Sequence, residues 1–176
     1  DRVIESNPQM AEPWSGKGIV LMDQGKYDEA IKAYDKAIEI NPQLAEVWNN
    51  KGLALYHQGK YSEAIQAYDR AIEINPKLAE AWNNKGNALV DQGKYDEAIK
   101  AYDRAIEINP QLAEPWFNKG VALYLQGKYD EAIQAYDRVI EIDPHLAEPW
   151  SGKGSVLMDQ GKYSEAIQAY DRTIEI

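Results

Sequence analysis

A strict period of 34 residues runs through the whole chain and constrains its fold more than any other feature. Tryptophan, glycine and proline each recur five times at that spacing: Trp14, Trp48, Trp82, Trp116 and Trp150; Gly25, Gly59, Gly93, Gly127 and Gly161; Pro8, Pro42, Pro76, Pro110 and Pro144. Self-similarity at a period of roughly 20 to 50 residues is typical of stacked repeat proteins and not of a single globular core. We therefore number the positions within each repeat from 1 to 34, and position 1 is the alanine that begins the repeat.

The period makes residues 1–176 a single array. Residues 1–10 are the end of a preceding repeat, residues 11–44, 45–78, 79–112 and 113–146 are repeats 1 to 4, and residues 147–176 are a truncated repeat 5. Residues 1–40 and 137–176 differ at only nine of 40 positions, which indicates that a block of four repeats was duplicated. We expect the chain to be a piece of a longer array.

Each repeat has the pattern of two helices joined by a tight turn. Apolar and small residues recur at helical spacing in both halves of repeat 2, namely Ala45, Trp48, Gly52 and Leu55, then Ala64, Tyr68 and Ala71. Glycine at position 15 is predicted to take the positive φ that ends the first helix, and Asn-Pro at positions 31–32 to end the second. Position 18 is predicted to be the N-cap of the second helix, because it is always Asp or Ser: Asp28, Ser62, Asp96, Asp130 and Ser164.

One helix pair cannot bury the apolar faces of both its helices, so the pairs must stack on one another. The small residues Gly52 and Ala64 are predicted to let the two helices of a pair approach closely, with Trp48 and Tyr68 filling the space around them. The sequence therefore predicts an all-α fold, an α-solenoid.

These residues resemble the tetratricopeptide repeat (TPR) family. The family signature matches here at Trp48, Gly52, Ala64, Tyr68, Ala71 and Pro76, with Leu55 at the position that the family usually fills with Tyr, and the match recurs along essentially the whole chain. The resemblance implies a right-handed superhelix of antiparallel helix pairs. The sequence departs from the family pattern in having Leu at position 11, and Lys at position 7 in every repeat: Lys17, Lys51, Lys85, Lys119 and Lys153. We expect the stem of this lysine to cover apolar surface while its ammonium reaches water or a nearby Glu; the alternative is a part in a ligand surface.

Residues at positions 5, 6, 9, 12 and 13 differ among the repeats and share one stripe of the first helix, opposite Trp and Gly. In the family resembled, this stripe lines a concave groove that holds extended peptides or partner helices. The candidates for a peptide-binding groove are therefore Asn49, Asn50, Leu53, Tyr56, Asn83, Asn84, Asn87, Asp91, Phe117, Asn118, Val121 and Tyr124. Drift at solvent-exposed positions is the alternative explanation for the variation.

Asparagine occupies position 6 in three successive repeats, as Asn50, Asn84 and Asn118. A side-chain amide offers donors and an acceptor that match one peptide group. The arrangement is similar to the asparagine ladder by which some family members hold a peptide backbone, although exposed Asn also favours solubility alone. Aromatic residues on the same stripe either anchor a side chain of a partner or pack against neighbouring helices.

No catalytic, cofactor-binding or metal-ligating site is predicted. The chain has no Cys, and its two histidines, His57 and His145, stand alone. The acidic residues at positions 18, 19, 25 and 29, with Arg70 and Arg104 beside them, are interpreted as a solvated outer face. Hence the chemistry of the sequence favours binding over catalysis.

Charge and hydropathy limit the classes of partner that the chain is expected to bind. A net charge of −10 argues against nucleic acid and makes a neutral or basic protein or peptide easier to approach. No run of 18 apolar residues is present, so we predict no membrane contact and expect a cytoplasmic protein.

We predict a non-enzymatic protein–protein interaction scaffold. One alternative is a self-assembling homo-oligomeric array, in which Leu157, Ile167, Tyr170 and Ile174 at one end meet Val3 and Ile4 of a neighbour. Another is an arm that recruits substrates for a larger enzyme.

Overall fold

The computed structural model describes residues 10–176, and helices are the only regular secondary structure in that part of the chain. They are α1 (Ala11–Asp23), α2 (Tyr27–Ile40), α3 (Ala45–His57), α4 (Tyr61–Ile74), α5 (Ala79–Asp91), α6 (Tyr95–Ile108), α7 (Ala113–Leu125), α8 (Tyr129–Ile142), α9 (Ala147–Asp159) and α10 (Tyr163–Glu175). Odd-numbered helices are thus the first helices of repeats 1 to 5, and even-numbered helices the second. The predicted role of Val3 and Ile4 falls outside the described residues.

Each first helix ends as the sequence predicts, at a glycine with positive φ. The five glycines at position 15 have φ between 71° and 74°. Behind α1, the Lys26 amide donates to the carbonyl of Leu21 and the Gly25 amide to that of Met22, both at 2.9 Å. These two bonds form a Schellman motif, which satisfies carbonyls that the helix end would otherwise leave unpaired.

The predicted N-cap at position 18 is wrong, because each second helix begins at position 17 and its N-cap is position 16, two residues earlier. Lys26 holds the N-cap position of α2, makes no side-chain capping bond, and accepts the first helical bond from the Ala30 amide. The turn therefore leads directly into the helix, which places position 18 inside its first turn.

Position 18 instead accepts a hydrogen bond from the next repeat. Gln58 Nε2 donates to Asp28 Oδ1 at 2.8 Å, so that the glutamine at position 14 reaches back by one repeat. The same bond recurs between Gln92 and Ser62, Gln126 and Asp96, and Gln160 and Asp130. The bond from Gln126, together with the nearby Lys128 charge, holds the pKa of Asp96 below its ordinary value.

The predicted close approach of the two helices in a pair is confirmed. A Cβ built on Gly52 would lie 2.5 Å from Tyr68 Cε1, and Ala64 is fully buried. The ring of Tyr68 therefore packs directly on the α3 backbone, which only glycine allows at position 8.

The lysine at position 7 pairs with Asp and not with Glu. Lys51 Nζ lies 2.6 Å from Asp35 Oδ1 of the preceding repeat and 5.4 Å from the centroid of the Trp48 ring. Equivalent pairs join Lys85 to Asp69, Lys119 to Asp103 and Lys153 to Asp137. The acids at position 25 are thus structural, which corrects their interpretation as a solvated face.

The arginines of position 26 are more than solvated side chains as well. Arg70 bonds Glu73 one turn along α4, and its guanidinium lies 5.9 Å from the centroid of the Trp48 ring. Arg104 makes the corresponding bond to Glu107. In repeat 2, two cations, Lys51 and Arg70, therefore lie within 5.9 Å of the centroid of the Trp48 ring, which favours a fixed indole orientation.

Contacts divide the chain into two compact units, one up to Gln92 with α1–α5 and one from Gly93 with α6–α10. The first unit has its core around Tyr34 and Tyr68, and the second around Tyr136 and Val156. Leu157, predicted to be an exposed end residue, is buried in a further cluster of the second unit, where it packs with Ala166 and Ala169. Ile167 and Ile174 of α10 are exposed, as predicted.

Candidate functional site

The candidate residues of the first unit lie on two neighbouring first helices, α3 and α5. We call their shared surface the α3–α5 face: Asn49, Asn50, Leu53 and Tyr56 from α3, and Asn83, Asn84, Asn87 and Asp91 from α5. The candidates of the second unit all lie on α7, namely Phe117, Asn118, Val121 and Tyr124.

Two of these asparagines lie in the interior. Asn49 is 2% exposed and Asn83 is 3% exposed. The sequence places position 5 on a stripe that packing does not fix, whereas the structure buries both of these side chains. Neither side chain lines the surface in this structure.

The buried amide of Asn49 has a partner across the repeat junction. Asn84 Nδ2 donates to Asn49 Oδ1 at 3.1 Å, so position 6 of one repeat bonds position 5 of the repeat before. A buried amide oxygen without such a partner would cost about 1–3 kcal/mol. The bond also fixes the orientation of Asn84, which is only half-buried.

The remaining candidates stay at or near the surface. Asn50, Leu53, Asn84 and Asn87 are half-buried, and Asp91 is exposed. In the second unit, Phe117, Asn118, Val121 and Tyr124 are half-buried too.

The tyrosines of position 12 bond an aspartate of the next repeat. Tyr124 Oη donates to Asp159 Oδ2 at 2.7 Å, and this bond, with partial burial, raises the pKa of Tyr124. Tyr56 bonds Asp91 in the same way; burial first, and then that bond, raise the pKa of Tyr56. The hydroxyls thus hold neighbouring first helices together, while the rings remain half-buried.

The second unit replaces the amide pair of the first unit with an aromatic contact. The rings of Phe117 and Tyr136 have centroids 5.7 Å apart, and a Cβ built on Gly152 would lie 2.8 Å from Tyr136 Cζ. Phe117 and Gly152 occupy positions 5 and 6 of their repeats, as Asn49 and Asn84 do two repeats earlier in the first unit. Aromatic residues of this stripe were predicted either to anchor a partner's side chain or to pack against neighbouring helices, and for Phe117 this contact favours packing.

A buried hydroxyl marks the interior beneath the α3–α5 face. Tyr68 is fully buried and its hydroxyl has no hydrogen-bond partner within residues 10–176. Burial, followed by the charges of Tyr56 and Glu80, raises the pKa of Tyr68. Its phenol therefore remains protonated well above neutral pH.

A groove lies on the side of the tryptophans. The groove, of about 710 Å³, runs between α2 and α4, with Trp48, Lys51 and Leu55 of α3 as its floor. The walls carry acids and bases alternately, among them Asp35 and Arg70. The sequence stripe does not predict this groove, because its floor comes from the face that bears the repeat signature.

Two classes of site are not found among residues 10–176. No group of three or more His, Asp or Glu side chains there could hold a metal ion. No helix of the described chain combines the length and the apolarity that crossing a bilayer requires.

Comparison with protein families gives one family. A model described as tetratricopeptide repeat matches residues 1–45, 15–79 and 83–147, and a second model with the same description matches residues 123–176. No curated protein matches the chain.

Solved structures of similar fold include MamA, YrrB and pilF. A crystal structure of MamA is 26% identical, with 90% of this chain and 92% of MamA covered and a TM-score of 0.83. YrrB, described as a TPR protein with an unusual peptide-binding site, is 25% identical, with 99% and 90% covered and a TM-score of 0.78. The pilF protein of Pseudomonas aeruginosa is 20% identical, with 94% and 75% covered and a TM-score of 0.85, which is a likeness of fold alone.

Proposed function

Because this chain belongs to the tetratricopeptide repeat family, we propose that it is a non-enzymatic scaffold that binds an extended peptide of another protein on its first helices. A protein-interaction scaffold is the general role of this fold. The finer proposal concerns the α3–α5 face, where the amides that suit a peptide backbone are concentrated.

The hydrogen bond between Asn84 and Asn49 carries this proposal. Asn84 uses one N–H on the buried Asn49 and keeps its carbonyl oxygen and a second N–H. An acceptor and a donor on one rigid amide match the N–H and C=O of a peptide group in an extended chain. Asn84 is therefore the proposed contact residue, and Asn49 is a positioning residue that acts through it.

The hydrogen bond between Asn84 and Asn49 favours ligand binding because it preorganises Asn84. A surface asparagine that is free to rotate loses rotamer freedom when a ligand binds, at a cost of about 0.5–1.5 kcal/mol. The bond to Asn49, which is 2% exposed, orients Asn84 before any ligand arrives.

Two further observations support a peptide ligand. YrrB, with which this chain shares its fold over nearly its whole length, is described as having a peptide-binding site. The net charge of −10 favours a neutral or basic segment over an acidic one.

The proposal is tested with a peptide that the chain itself selects. A random peptide library displayed on phage is selected against the 176-residue chain, and the tightest peptide is labelled for fluorescence anisotropy. Replacing Asn50, Asn84 and Asn118 together by Ala should weaken binding about tenfold or more, since each lost hydrogen bond is worth about 0.5–1.5 kcal/mol. Helical content should not change.

Two single variants separate contact from position. Asn49→Leu keeps the side-chain volume but removes the acceptor for Asn84, so binding should weaken although Asn49 itself touches no ligand. Gln66→Ala, at an exposed position on α4, is the matched control and should bind as the parent does. If no peptide is selected, or if the triple variant binds unchanged, the proposal is wrong.

A further inference from the structure

Two nearly identical helices in this chain have different surroundings. Helices α1 and α9 differ at only one of 13 residues, Ile19 against Ser155. Yet Val156 of α9 is 0% exposed, whereas Val20, at the same position of α1, is 55% exposed. Since the helices agree in sequence, the difference comes from what packs on them.

Helix α8 covers the valine of α9. Val156 shares a core cluster with Ala132, Ala135 and Tyr136 of α8, at positions 20, 23 and 24 of the preceding repeat. The corresponding residues in front of α1 would be contributed by a second helix of the same type.

Such a second helix is present in the chain, with its own face exposed. Helix α10 differs from the first 13 residues of α8 at only two positions, Ser164 for Asp130 and Thr173 for Val139. Ile133 of α8 is half-buried and packs against the clusters around Val156 and Leu157. Its equivalent Ile167 is 60% exposed, and Tyr163 and Ile174 of the same helix are 67% and 82% exposed.

The junction between α8 and α9 shows how the two exposed faces fit. There, Ile133 of α8 packs against the clusters that contain Val156 and Leu157 of α9. Gln160 Nε2 donates to Asp130 Oδ1 at 2.8 Å, and Lys153 pairs with Asp137. Helix α1 has the valine, the leucine and, just behind it, Gln24; α10 has Ile167 and Ser164. The serine suffices as an acceptor, because Gln92 bonds Ser62 Oγ at 2.9 Å in repeat 3.

We propose that the 176-residue chain associates head to tail in solution, with α10 of one copy packed on α1 of the next as α8 packs on α9. The partner is a second copy of this chain, since α1 and α9 are all but identical. The two surfaces of the contact differ, so each copy in a pair keeps one unused face that can bind a further copy.

The mass of the protein in solution tests this directly. Sedimentation velocity and light scattering over a concentration series should show the mass rising from the 19.9 kDa monomer to multiples of it. A mass that stays at the monomer value at about millimolar concentration would overturn the proposal, as would a dimer that never grows further.

Charge variants identify the two faces. Val20→Asp places a carboxylate on the exposed face of α1, and Ile167→Asp places one on that of α10; because both side chains are more than half exposed, the fold should be retained, as judged by circular dichroism. Each variant alone should remain a monomer. Leu125→Asp, an equal change at a residue that is 51% exposed and lies on neither face, should associate as the parent does.

Mixing the two variants is the decisive measurement. The Val20→Asp variant has an unchanged α10 face, and the Ile167→Asp variant has an unchanged α1 face. These two faces can still bind each other, so an equimolar mixture should form a one-to-one dimer of about twice the monomer mass and nothing larger. A mixture that stays monomeric, or single variants that still associate, would mean that another surface is used. Removing residues 1–9, of which residues 1–6 match residues 171–176 in repeat position, should leave association intact or strengthen it.

Discussion

Lys85 Nζ lies 2.6 Å from Asp69 Oδ1 across the junction between repeats 2 and 3, and 5.6 Å from the centroid of the Trp82 ring. Roughly a quarter of the lysine side chain and under half of the aspartate side chain are exposed, so solvent screens the pair only in part. The same arrangement recurs at other junctions, which makes it a regular component of the stacking.

A double-mutant cycle on this pair should show a modest coupling. Lys85→Met and Asp69→Asn, singly and together, are expected to give a coupling free energy of about 0.5–1 kcal/mol in urea unfolding, because the pair is partly exposed. The coupling should shrink at about 1 M salt. Lys36 and Glu39, an exposed pair within one helix, provide the matched comparison and should couple less. Equal coupling in both pairs would contradict the structural role of Lys85.

Replacing the glycine against which Tyr68 packs should destabilise the first unit. An added Cβ at Gly52 would lie 2.5 Å from Tyr68 Cε1, so Gly52→Ala is expected to lower the free energy of unfolding by about 1–3 kcal/mol. Gly16→Ala is the matched control: it lies in α1, and a Cβ there has nothing within 4 Å. That change should be neutral or stabilise by up to about 1 kcal/mol. Thermal unfolding of both variants decides between these outcomes.

The glycine of the turn should resist substitution for a different reason. Gly59 has φ of 72°, and a Cβ built on it has nothing within 4 Å, so Gly59→Ala meets no clash and bears only the conformational cost of about 1–2 kcal/mol. Gly59→Asn should cost less, because Asn tolerates this region better than Ala. If both variants are as stable as the parent, the turn does not require a left-handed residue.

Stability should fall at alkaline pH. Burial, and then the charge of Asp23, raise the pKa of Tyr34 to about 12; burial, and then Tyr124, raise that of Tyr136 to about 12. In the unfolded chain a tyrosine titrates near 10. The folded protein therefore holds these protons more tightly, and the stabilisation is complete below about pH 10 and lost as pH rises towards 12.

Urea unfolding at pH 9, 10, 11 and 12 measures this loss. The free energy of unfolding should decrease across the series, and Tyr136→Phe should make the decrease shallower, since one proton no longer contributes. Tyr163→Phe, at a residue that is 67% exposed, is the control. A stability that is flat over this range would contradict the burial of the two phenols.

Sequence patterns predict the local features of this fold well. The helical spacing around Trp48, the glycine turn at Gly59 and the ends of α2, α4 and α6 at Asn-Pro depend on neighbours within a few residues, and the structure has all three. They are predictable because backbone geometry alone decides them.

Contacts between repeats were harder to predict, since they join residues 16, 30 or 35 positions apart. The N-cap at Asp28 was wrong because that carboxylate serves Gln58, and Asn49 is interior, where it bonds Asn84 of the next repeat. A signal was available: Gln occupies position 14 and Lys position 7 in all five repeats, with no local reason for either. Residues that never vary and have no role in their own helix point to a partner in the next repeat.

The backward bond from Gln58 to Asp28 bears on how such a chain can change in length. Every pairing of this kind is set by a fixed offset along the polypeptide, so genetic insertion or loss of whole 34-residue segments restores each donor to an equivalent acceptor. An addition of any other size shifts one side of the register and leaves amides and carboxylates facing the wrong neighbours. Growth and shrinkage of the gene by complete modules is therefore the route that the geometry leaves open.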